Sequence, residues 1–129
     1  MNGPLAILPG MDRFFSLSEA RDLLADAVEM RAAIFAVRAD LAELEADIRA
    51  GGRSPLGGLP ELKGLNARLF SALEWFVANG VHVKGWAPLL LDFPGQRDGT
   101  AVQWCWLEGE PELEWYHRTD CGFAGRRPV

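Results

Sequence analysis

From position 17 to position 50 the chain runs 34 residues without a proline or a glycine, and no other feature constrains its fold as tightly. Ser16 stands three residues before Glu19, with Phe15 just outside, the reciprocal capping pattern that starts a helix. Leu23, Ala27, Met30, Ile34, Val37, Leu41, Leu44 and Ile48 then alternate steps of four and three, the period of a coiled-coil seam. Leu24, Val28 and Phe35 add a second apolar stripe in the first half only. One helix over 16–50 would be roughly 51 Å long. A compact chain of this size is about 36 Å across, so the helix should overhang its own domain.

A Gly-rich linker follows at 51–58, and a second helix is predicted over 59–79, opened by Pro60 and closed by Asn79-Gly80. Leu62, Leu65, Leu69, Leu73 and Phe76 mark its apolar side. The two helices should form an antiparallel hairpin. The shorter one covers only about 30 Å of the longer, and the uncovered seam predicts a homodimer through a four-helix arrangement.

Beyond Gly80 the apolar period changes to two, which predicts an antiparallel sheet over 81–118. Asp98-Gly99 as a type I′ turn sets Phe93 opposite Trp104 and Leu91 opposite Trp106. A two-residue Gly109-Glu110 turn would set Trp104 opposite Trp115, Trp106 opposite Leu113 and Val102 opposite His117. Pro94 should push the first of these strands toward an edge or a bulge. The apolar face would then carry Leu89, Leu91, Phe93, Val102, Trp104, Trp106, Leu113 and Trp115, with His117 at its margin. The expectation is a single α+β domain over 1–129: an arm (1–15), a long antiparallel helical hairpin, a β-meander of three to four strands, and a Gly/Arg tail (119–129), assembled as a dimeric helical bundle.

On the other face the same register aligns Asp92, Cys105 and Glu114, with Gln103 beside Tyr116. A carboxylate beside a thiol is either a metal pair or an acid and a base around a small substrate. The bland alternative has Asp92 capping the loop around Arg97 and Cys105 filling a half-buried gap. His117, Asp120 and Cys121 invite zinc, yet no paired-Cys or His-Glu-x-x-His spacing is present, and the expected register turns His117 away, so no metal and no cofactor is expected. Arg97, Arg126 and Arg127 could form an anion pocket, with Trp104, Trp106, Trp115 and Tyr116 as further ligand-binding candidates. The alternative, favoured because exposed pairs need no ligand, is surface arginines pairing with acids such as Glu108, Glu110 and Glu112.

A net charge of −5, with 13 Lys and Arg against 18 Asp and Glu, argues against nucleic acid. The opening residues lack a basic start and an apolar run, and no segment approaches the length of a membrane span. Cys105 and Cys121 are expected as free thiols, so the expectation is a cytoplasmic protein.

Several linked motifs resemble a known family. They are Leu91-Asp92-Phe93-Pro94 with Arg97-Asp98-Gly99, Cys105-Trp106-Leu107 with Gly109-Glu110-Pro111-Glu112, Trp115-Tyr116-His117, Gly122-Phe123-Ala124-Gly125-Arg126, and the opening Phe15-Ser16-Leu17-Ser18-Glu19-Ala20. The chain from about Phe14 onward is similar to the family of small bacterial proteins known as domain of unknown function, family twenty-two-oh-three. The resemblance supplies no reaction.

Three functions follow. The first is a dimeric module binding a small anionic ligand or a protein partner, since no nucleophile–base pair is spelled out. The second is a cofactor-free acid–base enzyme, an isomerase, cyclase or small hydrolase using Asp92 and His117, which requires those groups to reach one cavity. The third is a metal-dependent enzyme.

Overall fold

The computed structural model describes residues 13–129. Most of the expected arm therefore lies outside the described residues, but its last residue does not behave as an arm. Phe15 is buried, its ring meets Phe93 edge-on at 5.6 Å, and its N–H donates to the Pro94 carbonyl at 2.7 Å.

The capping box forms as the sequence dictates. Ser16 N–H donates to Glu19 Oε1 at 2.8 Å, and Glu19 N–H donates to Ser16 Oγ at 3.0 Å. Helix α1 spans Leu17–Asp26 and α2 spans Val28–Arg49. The expected single helix is thus interrupted at Ala27, whose ψ of 7° leaves the helical range. Neither proline nor glycine accounts for the break. Helix α3 spans Leu59–Ala78; Gly58 N–H donates to Glu61 Oε1 at 2.7 Å at its start. At its end Gly80 takes a φ of 81°, and the N–H groups of Gly80 and Val81 return to the carbonyls of Val77 and Phe76. That is a Schellman closure, with Val81 and Phe76 both buried beside it.

Two compact units are distinguished. Residues 27–75 hold α2 and most of α3, with Ile34, Val37, Leu41, Leu44, Leu65 and Leu69 buried. Here α2 has 22 residues and α3 has 20, and the seam residues Ile34, Val37, Leu41 and Leu44 are buried. No helix among the described residues is long and apolar enough to cross a membrane.

The other unit, residues 13–26 with 76–129, contains α1 and a five-stranded antiparallel sheet in the order β1-β2-β3-β4-β5. The strands are His82–Trp86, Leu89–Arg97, Thr100–Leu107, Trp115–Arg118 and Arg127–Pro128. Against the expected three to four strands, the tail adds one: Trp115 pairs Pro128, and Val129 N–H donates to the Glu114 carbonyl. The β2–β3 register is the expected one, with Phe93 opposite Trp104, Leu91 opposite Trp106 and Asp92 opposite Cys105. Asp98 and Gly99 have φ of 51° and 79°, as a type I′ turn requires. Pro94 lies past the reach of β1, which pairs with β2 only from Leu89 to Asp92.

The β3–β4 register differs from the expected one by one residue. Cys105 faces Trp115, Trp104 faces Tyr116, Gln103 faces His117 and Val102 faces Arg118. The cause is a longer connection than a two-residue turn. Glu110 N–H donates to the Leu107 carbonyl at 3.0 Å, and Glu110 Oε1 accepts from Leu107 N–H at 2.7 Å, so a side chain takes the place of a ladder partner. Pro111, having no N–H, cannot continue the ladder. Since side chains alternate between faces, the shift of one residue turns His117 and Trp115 onto the face of Asp92 and Cys105.

Candidate functional site

Side chains of β2, β3 and β4 converge on the sheet face opposite the tryptophan core. Leu91, Phe93, Val102, Trp104 and Trp106 are buried on the core face. There Trp104 Nε1 donates to the Phe15 carbonyl at 2.8 Å and Trp106 Nε1 donates to the Glu110 carbonyl at 3.0 Å, so both indoles serve the core and not a ligand pocket. On the other face Asp92, Cys105 and His117 keep only 4%, 0% and 3% of their surface accessible. One ligand-capable atom from each lies within 4.8 Å of the other two.

Proton positions follow from the partners. His117 Nδ1 lies 2.8 Å from the Arg118 carbonyl oxygen, which can only accept, so Nδ1 carries a proton. Nε2 therefore points at Asp92, 3.3 Å from Oδ1 and 3.2 Å from Oδ2. Those distances are longer than the about 2.7–2.9 Å of a charge-assisted N–H···O bond, and they are shared between two oxygens. Two ligands bound at about 2.0–2.1 Å to one tetrahedral ion stand about 3.3 Å apart, which is the spacing found. The backbone carbonyl on the far nitrogen is the usual outer partner of a metal-bound imidazole.

Cys105 completes the set. Burial pushes its thiol up to about 12, and the charge and hydrogen bond of Asp92 push the same way, against the weaker pull of Arg126. A thiol so placed stays protonated near neutral pH, whereas Cys121 is exposed. Alkylation of the native protein without added metal should therefore modify Cys121 and spare Cys105, with both modified after unfolding. Mass spectrometry of the labelled chain reads this, and labelling of native Cys105 would contradict it.

All three side chains line one cavity of about 340 Å³, together with His82, Lys84, Leu90, Gln103 and Thr119. Sequence reasoning missed Gln103 as a cavity residue. Its Nε2 donates to Thr119 Oγ1 at 3.2 Å, but its buried Oε1 has no hydrogen-bond partner among the described residues. A buried acceptor left unpaired costs free energy unless something enters the cavity to meet it.

The remaining candidates are dispersed. Glu114 is exposed, and Trp115 occupies the position opposite Cys105 where Glu114 is expected. Arg126 is withdrawn from any anion pocket: it donates to Glu110 Oε1 at 2.6 Å and to the Cys105 carbonyl at 3.2 Å, with its guanidinium over the rings of Trp115 and Phe123. Arg97 stacks over Tyr116 at 4.3 Å, and both line a second cavity with Arg127.

No curated protein and no solved structure matches the chain. The model of the family described as "Uncharacterized conserved protein (DUF2203)" matches residues 13–129, a span that holds the whole Asp92, Cys105 and His117 cluster, and the chain belongs to that family.

Proposed function

We propose that this protein is a small metalloprotein that holds one transition-metal ion, of zinc type, through His117 Nε2, an Asp92 carboxylate oxygen and Cys105 Sγ. One observation carries the reading: Nδ1 of His117 is fixed as a donor to a backbone carbonyl, while Nε2 faces a carboxylate at ligand-to-ligand spacing with a thiol alongside. A mixed N, O and S set selects zinc and its borderline-soft neighbours over magnesium or calcium. Three protein ligands leave a fourth position, the arrangement of catalytic and not of structural zinc. An ion so held supplies Lewis acidity to a small molecule in the cavity, where Gln103 Oε1 is available to accept a hydrogen bond.

The acid–base reading that has Asp92 and His117 trading protons has weaker support. Asp92 and His117 do line one cavity, but Nδ1 is tied to a backbone carbonyl and Nε2 faces Asp92, so the two groups are aimed at each other and not at a substrate between them. Two free cysteines support a reducing compartment such as the cytoplasm.

Protein purified without chelators should carry about one zinc-type ion per chain by elemental analysis, or take one up on titration. Cobalt substitution should give a thiolate-to-cobalt charge-transfer band that Cys105→Ser abolishes and Cys121→Ser leaves in place. Absence of uptake, or a band that survives Cys105→Ser, would overturn the assignment.

A further inference from the structure

The second cavity, of about 330 Å³, lies at the far end of the β2–β3 hairpin and shares no lining residue with the Asp92 cavity. Alternation along β4 explains the separation, since Tyr116 and Arg118 point opposite to Trp115 and His117. Arg97, Thr100, Tyr116, Arg118 and Arg127 supply its polar wall, with Asp98 at the same opening.

The charges in this wall are not balanced. Arg118 is held by Asp120 through two hydrogen bonds, and Arg126, outside the cavity, is held by Glu110. Arg97 and Arg127 have no carboxylate within ion-pair distance among the described residues. The Arg97 guanidinium carbon lies 4.3 Å from the centre of the Tyr116 ring at the cavity wall, and a guanidinium is a fork of N–H donors that can grip an oxyanion with two parallel bonds.

We infer that this cavity is a separate binding site for a small oxyanion, a phosphate or a carboxylate, gripped by Arg97 and Arg127 with hydroxyl donors from Thr100 and Tyr116. Asp98 admits anions that also carry a hydroxyl or amino group, which its carboxylate can accept from. The site works without the metal centre, and neither requires the other.

Isothermal titration at low salt with inorganic phosphate, glycerol phosphate and succinate separates the two anion classes. At least one probe should bind saturably. Arg97→Gln and Arg127→Gln should each weaken it by about tenfold or more, and Arg53→Gln on the linker should not. Arg97→Lys, which keeps the charge but loses the fork, should weaken binding to a similar degree. Should Arg97→Gln fail to fold, Arg127→Gln reads the same site from the exposed tail. No saturable binding of any probe, or equal binding in the Arg127→Gln variant and the parent, overturns the proposal.

Discussion

Gly95→Ala should destabilise the protein by about 3 kcal/mol or more, although it adds one methyl group. Gly95 sits on β2 opposite Val102, where Trp104 and the chain at Phe15 close over the sheet. A Cβ built there falls 2.6 Å from the Phe15 carbonyl oxygen and closer still to Trp104 Nε1. Those two atoms are the partners of the buried indole hydrogen bond. The methyl group cannot be accommodated by turning a flexible side-chain end, because one neighbour is backbone and the other is a ring packed in the core. Either the indole leaves its acceptor, stranding a buried donor and a buried carbonyl, or the segment before α1 lifts from β2 and exposes Phe15. Overpacking alone costs about 1–3 kcal/mol and an unpaired buried group about 1–3 more. Gly64 in α3 supplies the contrast. Its added Cβ meets nothing within 4 Å, so Gly64→Ala should stabilise by up to about 1 kcal/mol through helix propensity. Urea unfolding followed by tryptophan fluorescence measures both. A Gly95→Ala variant within about 1 kcal/mol of the parent would mean that the Trp104 to Phe15 contact is not tight.

Local chemistry is legible wherever a short motif determines the geometry. Ser16 with Glu19 makes its capping box, Asn79-Gly80 closes α3, and Asp98-Gly99 sets the β2–β3 register and so pairs Asp92 with Cys105. The β3–β4 register escapes such a reading because Gly109-Glu110 looks like a hairpin turn in isolation. The outcome depends on Glu110 folding its carboxylate back onto Leu107 N–H ahead of Pro111, a side-chain contact that alternation of apolar residues does not encode. That slip of one residue decides the site: it moves His117 from the tryptophan face to the side of Asp92 and Cys105, and it removes Glu114. The break at Ala27 carries no proline or glycine signal. Strand β5 is hidden for a different reason. Its two residues, Arg127 and Pro128, have no β pattern, and Arg126 ties the tail down through Glu110 and two aromatic rings.

Asp92→Asn separates a metal centre from a structural ion pair. If Asp92 and His117 exist to bind each other as charges, removing one charge strands the other in the interior, and the metal-free protein should lose about 3–5 kcal/mol. If they are ligands, the metal-free protein carries the cost of a buried carboxylate aimed at a ring nitrogen, and the amide relieves it. The amide introduced by Asp92→Asn can donate to His117 Nε2 across the same 3.2–3.3 Å gap and still accept from the Cys105 thiol. Metal-free Asp92→Asn should therefore be as stable as the parent or more so. Its response to zinc should be lost, because a neutral amide oxygen is a poor ligand beside a thiolate and an imidazole. For the parent, zinc at a hundred times its dissociation constant should add about 2.7 kcal/mol to the unfolding free energy. The variant should show a shift near zero, with affinity at least about a hundredfold weaker. Thermal unfolding of both proteins with chelator and with zinc gives all four values. A variant that keeps the zinc shift would remove Asp92 from the coordination sphere. One that loses several kcal/mol in chelator would leave the pair as a purely structural contact.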